Sequence, residues 1–596
     1  MSYTVNDEPV RTWRPGEPMP TLDGQIRAHN AAFERLIFWH VLKIPIPLER
    51  FYCTAAQARV NCAPGSLEDV GRFAGTDMRK DHRGAALVRA CCIPPYRDDL
   101  IPELVEYCEQ DVRTMRAASK AMRELTQEEL DDYHVNERIN DRGVLIDRDL
   151  CRAAVKYADT ELQEIEATVK TITNGAVTTV RSPTMRLWVQ ERLGPEAQKL
   201  MEREGKQSID KTVRANLLAI EDPEEVPPDV REVIQCADAL WASSVAKFDR
   251  LANLACDDGR VRGAFVFAGG AATGRASSYG AQVHNFTRKC ADDPETVRHS
   301  MVRGHAIVPR YGRRVTDVLR GMLRPALIPA EGKQFVVADW SAIEGRVNPW
   351  LSKRGDNTKL QQFRDGLDVY KVNAAETFRT TYDKVTKDQR QVGKVQELAC
   401  GFGGGVGAFA AMGRVYGLTL PEEEARRMVN AWRHANEWAV PFWQELETAY
   451  TRAMRNPGKE FEAGRIVYLH DGTHLWYALP SGRVLCYPFA KFDNDGISYA
   501  KAAWKPAADA KEWPRARLWR GLACENVTQA TAHDLLREAL RRLDDVVLHV
   551  HDEIVIETDK PEAALEELQR VMTTPPAWAA GLPLDAETSI MGRYGK

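Results

Sequence analysis

In KQFVVADWSAIEGRV, Lys333 to Val347, an apolar run reads as a strand ending at Asp339, and a tight turn leads into a helix with Ile343, Val347 and Leu351 on one face. In DDVVLHVHDEIVIE, Asp544 to Glu557, the residues His551, Asp552 and Glu553 stand between two apolar β-runs, the pattern of a hairpin with acids at its tip. A single aspartate at a strand end is ordinarily a turn or cap residue. Acids gathered between apolar runs repel one another unless a cation compensates them, and magnesium takes one or two carboxylates plus substrate phosphates. Two such ions, about 4 Å apart, activate a hydroxyl and stabilise the leaving oxygen of a phosphoryl transfer.

A second constellation lies between the acids. In KDQRQVGKVQELACGFGGGVGAF, Lys387 to Phe409, the residues Arg390, Lys394, Leu398 and Phe402 recur every four positions and share one helical face if the helix reaches that far. Cations followed by apolar residues suit a nucleotide, with the cations on its triphosphate and the apolar side chains against its base. A solvated basic turn followed by core residues would read the same way. The run GFGGG directly after permits a bend or a close backbone approach.

Periodicity indicates the scaffold around these residues. From Leu36 to about Leu125, short apolar segments alternate with Pro and Gly breaks; a charged helical stretch, Thr126 to Asn140, then leads into RGVLID, which places a domain boundary near Thr126. Residues 149 to 256 carry long amphipathic patterns, such as Leu150, Ala154, Tyr157 and Leu162, interrupted by the acidic linker EDPEEVPPD. From Arg260 to Trp350 short β-type runs such as GAFVFAGG are separated by an Arg-rich connector. Residues 355 to 460 return to helices, with LPEEEARRMVNAWRHANEWAVPFWQELETAYTRAM predicted as the longest, and the last third adds strands.

At roughly 150 residues per domain, 596 residues provide about four structural units. Subtracting 85 acidic from 81 basic residues gives a net charge of −4, and 28% charged with 44% hydrophobic residues excludes wholesale disorder and a uniformly basic DNA-coating protein. A near-neutral enzyme still concentrates cations in one groove when it handles nucleic acid. The twelve cysteines contain no CxxC pair and only one adjacent pair, Cys91 and Cys92, so they read as reduced, mostly buried thiols rather than a zinc site or disulfide framework. No stretch reaches eighteen apolar residues and MSYTVNDEPV lacks a signal-peptide layout, so a cytosolic protein without membrane contact is expected.

Taken in order, the three segments resemble motifs A, B and C of the family A DNA polymerases, the bacterial polymerase I class, and its phage-encoded members in particular. DWSAIEGR resembles DYSQIELR, RQVGKVQELACGF resembles RxxxKxxxFGxxYG, and HDE at 551 to 553 stands as motif C. TGRASSYGAQVHNF, Thr273 to Phe286, resembles TGRLSSxxPNLQNI; LPSGR ends at Arg483, and Gln529 in ENVTQATAHD resembles the glutamine before motif C. The resemblance covers about residues 126 to 596.

It implies an α+β, right-hand polymerase with palm, fingers and thumb, preceded by a truncated, RNase H-like 3′-5′ exonuclease domain. The divisions expected are 1–125 for the exonuclease-like unit, 126–260 for thumb and connecting helices, 261–354 for the first part of the palm, 355–465 for the fingers and 466–596 for the rest of the palm. Asp339 and Asp552 would hold two Mg2+ ions, with Mn2+ as a substitute, and Glu553 would be an accessory metal acid at the primer end. Arg390 and Lys394 would contact the incoming deoxynucleoside triphosphate, Lys394 donating a proton to the leaving pyrophosphate. Glu344 would be the gate that excludes a ribose 2′-hydroxyl, while Arg275, Gln529 and His551 would touch primer-template DNA. A monomer acting in phage-type replication, in the cytoplasm of a bacterial host, is the corresponding setting.

Two positions depart from the family pattern. The motif B aromatic is Leu398, and the tyrosine that pairs with the gate glutamate is Phe402, so Glu344 is expected to lose that hydrogen-bond partner and sugar discrimination or fidelity to be altered. The connector from Arg298 to Arg324 is long for the family and holds seven arginines against one acid, Asp317; it suits phosphate contacts and a solvated loop equally.

AHNAAFERLIF, Ala28 to Phe38, and EYCEQD, Glu106 to Asp111, resemble the second and third exonuclease motifs, with Asn30, Glu34, Tyr107 and Asp111 at matching positions. Glu34 stands where aspartate is usual, and no DxE first motif precedes it, since Asp7 and Glu8 are adjacent. Half a two-metal site should bind ions weakly, so deficient proofreading is expected, the region bracing the polymerase, unless the recorded start lies downstream of the true one. A single-subunit RNA polymerase shares the aspartates and the motif B lysine, but Glu344 opposes it. A nuclease would need the first exonuclease motif. A catalytically silent DNA-binding replication scaffold would not need acids that repel phosphate.

Overall fold

The computed structural model describes residues 1–595 except 77–82, 181, 204–205, 241–245, 313, 355–357 and 502–511; Arg313 of the connector lies outside the described residues. A four-stranded antiparallel sheet carries the acids, in the order Val546–Val550, Glu553–Thr558, Gln334–Trp340, Ala586–Met591. The first three strands are buried along nearly their whole length, which is why they read as continuous Val- and Ile-rich runs rather than alternating ones. Register places Val337 opposite Val555 and Asp339 opposite Glu553. Helix Pro561–Thr573 covers the sheet with Leu568, Val571 and Met572. Helix Ile343–Leu351 buries Ile343, Val347 and Leu351, the face its periodicity predicts, and packs against helix Arg520–Arg541.

Four helices, Val369–Phe378, Lys387–Cys400, Val406–Val415 and Glu422–Ala435, pack together beside this sheet. The first two approach through Gly393, where a Cβ would lie 2.0 Å from the Tyr370 carbonyl oxygen. Inside the bundle Glu397 accepts hydrogen bonds from Lys359 Nζ at 2.9 Å, Asn373 Nδ2 at 2.7 Å and Trp432 Nε1 at 3.0 Å. The long helix predicted from LPEEEARRMVNAWRHANEWAVPFWQELETAYTRAM is broken into Glu422–Ala435 and Ala439–Arg455. Asn436 ends the first: its side chain turns back to donate to the Trp432 carbonyl at 2.9 Å, and its own backbone leaves the helical region.

The helical arm begins at Asp147, whose carboxylate caps the 25-residue helix Arg148–Ile172 by accepting from Leu150 N. Its outer half has a separate apolar core built around Val169, Met185, Val213 and Val233. The connector divides its arginines: Arg298 pairs with Asp147 and Arg324 with Glu553, so these two are turned inward and are not a phosphate track.

The N-terminal unit contains one antiparallel strand pair, Ser2–Tyr3 with Arg11–Thr12, and one parallel pair, Ile26–Ala28 with Phe51–Cys53, rather than one continuous sheet among the described residues. Thr126 closes a capping box with Glu129 at the start of helix Gln127–Arg142, where the sequence places its boundary. The unit is packed firmly onto the C-terminal elements. Phe73 stacks on His474 at 5.7 Å between ring centres, Cys486 N donates to Cys62 Sγ at 3.3 Å, and buried Arg35 forms a two-pronged pair with Asp141 of the adjoining helix. All twelve cysteines are free thiols, six of them buried. No helix among the described residues is long and apolar enough to cross a membrane.

Candidate active site

Strand Gln334–Trp340 delivers Asp339 to the floor of a cavity of about 1090 Å3, and the turn between strands Val546–Val550 and Glu553–Thr558 delivers Asp552 beside it. That turn is fixed from both sides: His551 adopts a left-handed φ of 59°, and the Asp552 carbonyl accepts from Trp340 N at 3.2 Å. Ala342, also left-handed at φ 51°, turns the chain from the Asp339 strand into helix Ile343–Leu351 and brings Glu344 into the same cavity. Burial, and then the Asp339 carboxylate, push Asp552 up to about 7; Arg288, 3.8 Å away, pulls the other way.

The opposite wall comes from helix Lys387–Cys400. Arg390, Lys394 and Leu398 line the cavity from one face, and Phe402 lines it from just beyond the helix end, since the helix stops at Cys400 before the four-residue stripe is complete. Both cations have partners on their own wall. Arg390 Nε pairs with Asp368 at 2.5 Å and its guanidinium lies 5.2 Å from the Tyr370 ring centre; Lys394 Nζ lies 5.1 Å from that of Tyr416. Asp368 is fixed in turn as the cap of helix Val369–Phe378.

Without a phenol at Phe402, Glu344 finds a different partner. Arg275 Nη2 donates to it at 2.8 Å, and Arg275 is thereby engaged in the cavity wall. Gln529 lies outside the lining, on helix Arg520–Arg541, donating to Glu525 at 3.3 Å. Burial raises the pKa of Glu525, and Glu344 raises it further while Arg275 opposes. His551 lines the cavity and sits 5.7 Å from the His284 ring; burial, then Arg275 and Arg288, depress its pKa and keep the imidazole neutral. His284 in turn contacts the His549 carbonyl at 2.9 Å, and His549 stacks on Phe265 at 4.3 Å.

Glu553 departs from its expected place at the hairpin tip. It is the first residue of strand Glu553–Thr558 and does not line the cavity; its carboxylate accepts from the Tyr594 hydroxyl and faces Arg324 at 3.7 Å. Two aspartates and substrate oxygens form the donor set magnesium prefers, and the raised pKa of Asp552 beside Asp339 marks a charge that a divalent cation would compensate. No group of three or more His, Cys, Asp or Glu that would cage an ion occurs among the described residues.

The four exonuclease-like residues have a different setting. Asn30 is exposed, in a left-handed conformation at φ 68°. Glu34 sits on the short helix Ala32–Leu36, where burial pushes it up to about 7. Tyr107 is buried against Gly84, where an added Cβ would meet its ring at 2.2 Å, and Asp111 lies one turn further along helix Ile101–Lys120.

Sequence reasoning missed Arg288, Asp368, Tyr370 and Tyr416. Arg288 belongs to a segment whose pattern carries no periodic signal, and Asp368 looks like any helix cap. Only the fold brings them to the cavity.

A family model described as DNA polymerase family A matches residues 148–470, a span that includes Asp339, Arg390 and Lys394 and stops before Asp552. A DNA polymerase of Bacillus phage SP02 is 31% identical over 637 aligned residues, covering 100% of this chain and 94% of that protein. DNA polymerase I of Pseudomonas aeruginosa is 24% identical over 280 residues, 45% of this chain and 25% of that protein. Among solved structures, the polymerase domain of Pol1 from M. smegmatis, in complex with DNA primer-template and dNTP, superposes with a TM-score of 0.59 at 16% identity, over 95% of this chain and 86% of that one; it shows likeness of fold.

Proposed function

The chain belongs to DNA polymerase family A, and from that premise we propose that it is a template-directed DNA polymerase, a nucleotidyltransferase adding deoxynucleotides to a primer 3′ end. One observation carries the reading: a single cavity sets Asp339 and Asp552 against Arg390 and Lys394. Acids alone would repel a triphosphate and cations alone would bind without activating a hydroxyl.

Asp339 and Asp552 would hold two divalent ions, Mg2+ by donor type with Mn2+ as substitute; when bound, these supply Lewis-acid activation of the primer hydroxyl and charge stabilisation at the leaving oxygen. Arg390 exchanges Asp368 for the triphosphate, and Lys394 leaves the Tyr416 face to donate its proton to the departing pyrophosphate. Leu398 and Phe402 form the apolar side of the nucleotide space. Glu344, steadied by Arg275, blocks a 2′-hydroxyl, and neutral His551 lies at the primer end, with Gln529 reaching the duplex from helix Arg520–Arg541.

The sheet and its helices then form the palm, divided as 261–354 and 466–596, with fingers at 355–465, thumb at 126–260 and the exonuclease-like unit at 1–125. The packing of that unit onto Cys486 and His474 supports a bracing role, and the longer Glu34 with a Tyr107 buried under Gly84 supports weak proofreading. Likeness to the SP02 polymerase over the whole chain supports phage-type replication, and a monomer in a bacterial cytoplasm is the setting proposed with it. Extension of a labelled primer on a longer template, with four deoxynucleotides and Mg2+, tests the function. Extension abolished by Asp552→Ala supports it; no extension by folded wild type would favour the scaffold reading.

A further inference from the structure

Glu553 adjoins Asp552 in sequence and stands directly opposite Asp339 in the sheet. Opposed residues of an antiparallel pair project from the same face, so backbone geometry alone would bring its carboxylate to the two aspartates. Two side chains intervene. The Tyr594 hydroxyl donates to Glu553 Oε1, the Arg324 guanidinium faces the same oxygen at 3.7 Å, and Arg324 lies 4.9 Å from the Tyr594 ring centre. Tyr594, Arg324 and Glu553 are 1%, 3% and 4% exposed, so the three meet in the interior and not in the cavity. Tyr594 is itself anchored. Its backbone N donates to the Leu327 carbonyl at 3.1 Å, and neighbouring Arg593 bonds Asp147 at 2.8 Å and pairs with Glu295.

We propose that Tyr594 and Arg324 form a clamp that withholds the Glu553 carboxylate from the metal pair, which makes Tyr594 a positioning residue that sets how many acids a divalent cation meets. The inference rests on the reading of Asp339 and Asp552 as the metal holders. Divalent affinity rises with the number of charged ligands, so a third carboxylate would tighten the ions and occupy positions that substrate oxygens need. Arg593 ties the clamp to Asp147 at the root of the helical arm, and Asp147 also holds Arg298 of the connector.

Titration of Mn2+ followed by electron paramagnetic resonance, without DNA or nucleotide, tests the clamp on the full chain. Glu553→Gln should bind Mn2+ as wild type does, Tyr594→Phe should bind it roughly fivefold or more tightly as the freed carboxylate reaches the ion, and the double variant should return to wild type. Asp552→Asn should lose most of the binding. Weakening by Glu553→Gln comparable to that by Asp552→Asn would make Glu553 a ligand in the wild type and overturn the proposal. Tyr594→Phe with unchanged Mn2+ affinity and only a lower melting temperature would overturn it too, reducing Tyr594 to a packing role. If Asp552→Asn keeps full affinity, the metal reading itself fails and the clamp falls with it.

Discussion

Asp552 makes the metal-free protein sensitive to pH in a direction that can be worked out. Burial and the nearby Asp339 carboxylate lift its pKa from 3.8 to about 7. Below the unfolded value both states hold the proton and the residue contributes nothing. Between the two values the folded state keeps a proton that the unfolded state has released, so stability falls as pH rises and the full penalty is present above about 7. A shift of about three units at 1.36 kcal/mol each bounds this penalty at about 4 kcal/mol. Asp552→Asn removes it. In chelator, urea unfolding should show the variant more stable than wild type by up to about 4 kcal/mol near pH 8, with the difference vanishing near pH 4. Added Mg2+ should stabilise wild type at the higher pH and leave the variant nearly unmoved. A difference independent of pH, or a less stable variant near pH 8, would refute the raised pKa that burial and Asp339 give Asp552.

Loss of the guanidinium that steadies the gate, in Arg275→Leu, should lower discrimination between deoxy- and ribonucleotides by roughly fivefold, the worth of about 1 kcal/mol for a partly exposed pair. Phe402→Tyr should change it less, and a larger effect of Phe402→Tyr would make the phenol the true gate partner. Lys359→Met strands the buried Glu397 carboxylate, and chemical unfolding should register a loss of about 3–5 kcal/mol; a loss under about 1 kcal/mol would mean Asn373 and Trp432 suffice. On a mismatched primer without nucleotides, the primer end should remain largely intact and Asp111→Ala should make no difference. Robust metal-dependent shortening abolished by Asp111→Ala would instead reveal a working exonuclease.

Much of the fold was legible because local patterns and tertiary burial agree. The run FVVA of the Asp339 strand and VVLHV of the hairpin are continuous apolar stretches, and both lie in a covered sheet. The Ile343, Val347 and Leu351 stripe is buried as its spacing requires. Disagreements arise where a single residue decides. Asn436 divides a helix that periodicity alone would continue, and the helix that ends at Cys400 is turned away just after Phe402 by Gly403, at a left-handed φ of 78°. The cavity's acids, cations and gate carry recognisable spacing, whereas Arg275 on Glu344, Asp368 on Arg390 and Tyr594 on Glu553 join residues 69, 22 and 41 positions apart. Spacing of that kind has no periodic signature, so those partners emerge only when the chain is folded.

Single-nucleotide incorporation puts templated chemistry at the two aspartates to the sharpest trial. Wild type and Asp339→Asn are each given one primer on four templates that differ in the first unpaired base, with each deoxynucleotide supplied separately alongside Mg2+. Chemistry through Asp339 and Asp552 predicts that wild type adds only the complementary nucleotide on each template and that Asp339→Asn, folded and still binding DNA, adds none. Addition that ignores the template, or full incorporation by Asp339→Asn, would contradict it.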